Sequence, residues 1–192
     1  MALKVSSFVD PTRLCGILFV LAFVVFTVGG MLFWARMDGM PRWAIGFSRA
    51  YLIWERAFVM TAVILTVPGM MLLGQIFQSA GDAYLARLGT YGYIFAAIFI
   101  LTAEAYGLSS EHSVYPLIVL YVVPAFLTQV VIGMALLATG MLPGWMGWFS
   151  ILWNVVWLVI LLIFSPQNLY FPVLHHVIPL CIGIFFLNGY PR

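Results

Sequence analysis

The chain has 192 residues, 65% of them hydrophobic, 17% aromatic and 7% charged, with a net charge of +2. Soluble domains carry about 25% charged residues, so this composition, at a mean hydropathy of +1.11, excludes a water-soluble fold. It also excludes a nucleic-acid partner, which needs a basic stripe, and a disulfide scaffold.

Apolar runs of about 20 residues, enough to cross a bilayer, recur six times: 14–35, 50–73, 88–108, 115–139, 145–164 and 173–190. The first is too long for a signal-peptide core and no A-x-A-like cleavage site follows it, so it stays as a span. The second contains Pro68 and the fourth Pro124, where kinks are expected; Pro116 opens the fourth at a first-turn position. The connections hold the breakers, at Asp38-Gly39-Met40-Pro41, Ser79-Ala80-Gly81-Asp82, Ser109-Ser110, 140–144 and Ser165-Pro166-Gln167-Asn168. They are short, so sequential helices pack antiparallel. The expected fold is all-α, a polytopic membrane bundle of six transmembrane helices forming one domain over 1–192. Cys15 and Cys181 sit at different depths and remain free thiols. Trp34, Trp43, Trp145 and Trp148 mark helix ends at the membrane interfaces.

Six spans put both termini on one side. Lys4, Arg13, Arg87 and Arg192 then oppose Arg36, Arg42, Arg49 and Arg56, so the positive-inside rule gives no orientation.

Against this background the informative residues are those that lipid disfavours. Glu55 and Arg56 fall inside the second run, Glu104 inside the third, and His175 and His176 open the sixth. Ionisable groups in spans face the bundle interior or a wet cavity. All five belong to the leaflet away from the termini, and Glu111, His112, Asp38, Gln167 and Asn168 lie in its loops. Tyr51, Glu55, Ala62 and Thr66 repeat at helical spacing, as do Tyr93, Ala97 and Glu104, which places each set on one stripe. Small Ala62, Ala96 and Ala97 allow close helix approach. Deeper lie Gln129, Asn154 and Trp157. The expectation is a one-sided pocket with its mouth on the non-terminal side, binding a lipophilic small molecule. Glu55, Glu104 and His176 are the candidate acid–base residues; Arg56, Tyr51, His175, Gln129, Asn154 and Trp157 are the candidate binding residues. A carboxyl within reach of a histidine can exchange a proton, which suits isomerase, cyclase or hydrolase chemistry.

A proton-coupled carrier uses the same groups, and a non-catalytic subunit of a larger membrane complex needs none of them. In that structural account Glu104 neutralises Arg56, or residues 43–56 lie in the headgroup region. A metal is disfavoured: no H-x-x-x-H or E-x-x-H pair occurs, and neighbouring histidines point about 100° apart on a helix. Bis-histidine haem is disfavoured too, since only His112, in a loop, faces the histidine pair. Membrane lipids are the expected surroundings, with a membrane-protein partner or a second copy as protein neighbours.

The segment Leu142-Pro143-Gly144-Trp145-Met146-Gly147-Trp148, with Pro172, His175 and Pro179 beyond it, resembles bacterial six-helix integral membrane proteins of unknown function. The resemblance covers the C-terminal third. It implies the six-helix fold and a bacterial inner membrane, and no activity.

Overall fold

The computed structural model describes residues 10–37, 48–110, 115–164 and 173–190. They form six helices: α1 (Pro11–Met37), α2 (Ser48–Ser79), α3 (Tyr84–Ser110), α4 (Tyr115–Thr139), α5 (Gly144–Phe164) and α6 (Val173–Leu187). Among the described residues there is no strand. Five helices are long and apolar enough to cross a membrane; α6, with 15 residues, falls short of the roughly 20 that a perpendicular span needs. By length and composition this is a multi-pass membrane bundle.

Helix ends explain where observed and expected boundaries differ. The second apolar run ends at 73, but the helix runs on to Ser79 and stops before Gly81. There φ is +102°, and Asp82 N donates to Phe77 O at 3.0 Å while Gly81 N donates to Gln78 O at 3.2 Å. This paired closure requires a left-handed residue, which glycine adopts without steric cost. Asp82 caps α3, which begins at Tyr84, four residues before the expected position; its carboxylate accepts from Tyr84 N and Leu85 N, both at 3.0 Å. At the C-terminal end the sixth run does not stay helical to Tyr190. The same closure ends α6, with Tyr190 N donating to Phe185 O at 3.1 Å.

The helices pack in a ring, α1 between α2 and α6, α3 between α2 and α4, and α5 against α4; α5 and α6 meet mainly through side chains. Every sequential pair is antiparallel. Cys15 Sγ near the start of α1 donates to Gly69 O late in α2 at 3.3 Å, whereas Gly29 lies beside Glu55 and Val59. Glycines set the closest approaches: a Cβ on Gly16 would stand 2.9 Å from Gly183 O, and one on Gly133 would stand 2.8 Å from Gly147 O. Between α2 and α3, Thr90 Oγ1 donates to Met70 O at 3.1 Å, filling the space beside Gly74. Leu21, Phe95, Ile98, Leu127 and Val159 point outward, the expected inversion when the solvent is hydrocarbon.

Candidate functional site

Both stripes face inward. On α2, Glu55, Ala62 and Thr66 are buried and Tyr51 is half-buried. On α3, Tyr93, Ala97 and Glu104 are buried. Arg56 reaches from α2 to the Glu104 carboxylate on α3 and forms a salt bridge. The guanidinium is 14% exposed and the carboxylate 1%, so the cation leans toward the edge while the anion stays inside. Their common depth already required a partner for each, since a lone charge in a span is expensive.

The histidine pair lies deeper among the helices. His175 is held by tyrosines: the Tyr121 hydroxyl is hydrogen-bonded to its Nε2, and Tyr93 Oη lies 3.4 Å from the same atom. A neutral imidazole has one donor and one acceptor nitrogen, and a tyrosine hydroxyl can serve either, so both hydroxyls can stay hydrogen-bonded whichever nitrogen carries the proton. Sequence spacing pointed to Tyr93 but missed Tyr121. The signal was present: Tyr121, Ala125 and Gln129 repeat at four-residue spacing, and all three are buried. His176 stacks between rings, its centroid 4.8 Å from Phe26 and 4.2 Å from His175. Both of its ring nitrogens are buried without a hydrogen-bond partner.

Proline explains how Gln129 enters this layer. In α6 the carbonyl of His175 would normally accept from the residue four positions on, but that residue is Pro179, which has no N–H. Gln129 Nε2 supplies the missing bond from α4, at 2.6 Å. Trp153 Nε1 on α5 donates to the adjoining carbonyl of Leu174 at 2.8 Å. Two side chains from two helices thus grip the first turn of α6. Ser150 Oγ donates to Gln129 O at 2.8 Å, and Asn154 Nδ2 donates to Ser150 O at 2.6 Å. Trp157 is not part of this network; it packs on Trp153, ring centroids 5.7 Å apart, in a ladder with Phe149 and Trp145 along α5.

The Gln129 clamp makes a direct prediction. Gln129→Leu leaves the His175 carbonyl buried without a donor and is expected to cost about 1–3 kcal/mol. In a Pro179→Ala background the new N–H takes that carbonyl, so the same substitution should cost clearly less. Unfolding midpoints of the four proteins in one detergent measure the coupling, and additive losses would refute the clamp.

The structure therefore brings together His175, His176, Gln129 and Asn154, and separately Arg56 with Glu104. His175 and His176 are 1% and 0% exposed, so both lie inside the bundle. The loops that would frame the expected mouth, with Asp38, Trp43, Glu111, His112, Gln167 and Asn168, lie outside the described residues. Two cavities lined by described residues lie away from the histidines. One of about 630 Å³ lies at the opposite end against Thr12, Gln75, Ser79 and Thr139. Another borders the exposed face of α3 at Thr102 and Tyr106. No set of three metal-ligating side chains converges among the described residues, and Cys15 and Cys181 are free.

No protein-family model matches the chain, and neither a curated protein nor a solved structure is significantly similar to it.

Proposed function

We propose that this is a six-span membrane protein that binds a lipophilic small molecule, its polar head in the layer formed by His175, His176, Gln129 and Asn154. The tail would lie along the Trp145–Phe149–Trp153–Trp157 ladder of α5, which meets α6 through Trp145 on Phe185, ring centroids 5.7 Å apart, and Trp153 on the Leu174 carbonyl. In this reading α6 completes the bundle as a short sixth span. Glu55, Arg56 and Glu104 form the polar approach from the non-terminal side.

One observation carries the proposal: His176, Gln129 Oε1 and Asn154 Oδ1 are buried without partners. Each unsatisfied group costs about 1–3 kcal/mol, so three approach the roughly 5–15 kcal/mol of net stability that a fold has to spare. A layer built only to hold helices together would be cheaper in leucine. Acid–base turnover is supported by the hydrogen-bonded Tyr121–His175–Tyr93 group, which can hand a proton to or from a head group beside it.

Native mass spectrometry of the detergent-purified protein tests the reading. The expected result is an adduct that survives purification and disappears in His176→Phe, a ring that still stacks on Phe26. A bare-chain mass for both proteins would leave the non-catalytic subunit as the better account.

A further inference from the structure

Resting on that binding function, we infer that the ligand's head group is a hydroxyl, an alcohol or phenol on an apolar tail. The argument comes from which polar atoms are left over.

Gln129 Nε2 and Asn154 Nδ2 each donate to a backbone carbonyl, those of His175 and Ser150, at 2.6 Å in both cases. A carbonyl oxygen only accepts, so neither amide can be turned over without losing its bond. Orientation is thereby determined by chemistry. The two amide oxygens face away from those carbonyls, and both are buried without a partner. Amide oxygens accept only. His176, with both ring nitrogens unpartnered, adds one donor and one acceptor in its neutral form. The unmet set is three acceptors and one donor.

These groups belong to one layer. Gln129 grips the residue next to His176, and Asn154 binds Ser150, whose hydroxyl is on the carbonyl of Gln129. A carboxylate or phosphate head brings acceptors and charge, meets only the single donor, and faces two oxygen dipoles of the wrong sign. A ketone or ether has the same deficit without the charge. An ammonium supplies donors but brings a charge that must be stripped of water in an apolar interior, and the carboxylate of Glu104 is already committed to Arg56. A hydroxyl donates to an amide oxygen and accepts from His176 with no charge to desolvate. A head with two hydroxyls matches more of the set. The aromatic neighbours at His176, Phe26 and His175, suit a ring that bears the hydroxyl.

Equilibrium binding of four probes of matched tail to the purified full chain, read by native mass spectrometry, tests this: para-dodecylphenol, para-dodecylanisole, para-dodecylacetophenone and para-dodecylbenzoate. The phenol is expected to bind at least tenfold more tightly than its methyl ether, about 1.4 kcal/mol, with the ketone and carboxylate weaker still. Asn154→Leu, whose own amide bond lies within α5, should lower the phenol-to-ether ratio several-fold. Equal binding of all four, or preference for the ketone or carboxylate, overturns the hydroxyl assignment while leaving the proposed binding function standing. If no probe binds more tightly to the natural chain than to His176→Phe, the binding function itself fails.

Discussion

Arg56→Leu is expected to lower stability by about 3–5 kcal/mol, because it leaves the Glu104 carboxylate inside the bundle without its guanidinium. Glu104→Leu should cost less. The burial of the two partners is unequal, 14% exposure for Arg56 against 1% for Glu104, and a long basic side chain freed of its partner can extend its head toward the interface. The double variant Arg56→Leu/Glu104→Leu should recover much of the loss, since two leucines remove both desolvation penalties together. Chemical unfolding in one detergent, with all four proteins compared as a cycle, gives the coupling energy. A pair that contributes little would show losses below about 1 kcal/mol for both single variants, as exposed surface pairs do. Equal losses for the two single variants would contradict the depth argument.

Replacing Gly133 should do comparable damage by a different route. A Cβ there would stand 2.8 Å from Gly147 O and 3.0 Å from Ser150 Cβ, and the reciprocal Cβ on Gly147 would stand 2.9 Å from Gly133 O. The obstruction is backbone, which no rotamer change can move. Gly133→Ala is therefore expected to cost about 1–3 kcal/mol as overpacking, and Gly133→Leu to drive α4 and α5 apart. One turn away, Ser150 donates to Gln129 O, so the separation also dislocates the layer beneath the histidines. Gly30→Ala is the control, since nothing lies within 4 Å of a Cβ at that position. It should be neutral or stabilise by up to about 1 kcal/mol through helix propensity. Size-exclusion profiles after graded heating separate these outcomes, and a Gly133→Leu protein as heat-resistant as the Gly30→Ala control would show that the contact is not tight.

Residue chemistry alone determined the class of molecule. Charge at 7% cannot cover a soluble surface, and apolar runs between Gly-, Pro- and Ser-rich breaks locate the helices, because each span must satisfy its backbone internally. The inward stripes of α2 and α3 were legible for a similar reason: an ionisable residue in a span has only the interior to face, and helical periodicity carries its neighbours with it. Arg56 and Glu104 followed from depth, as opposite charges in the same leaflet. Tertiary structure decided the rest. The end of α2 was set by the left-handed closure at Gly81, and its packing on α3 by the approach of Gly74 to Thr90, a contact that polarity along the chain cannot reveal. Tyr121 and Trp153 were passed over because aromatic residues in an apolar sequence are indistinguishable as packing or polar groups until a partner is placed beside the hydroxyl or the indole N–H. The role of Gln129 depended on Pro179, fifty residues away, taking a donor from the His175 carbonyl. Hydrogen bonds between helices are set by rotation and register, and six apolar helices could be rotated many ways before the glycine contacts at Gly16–Gly183 and Gly133–Gly147 select one.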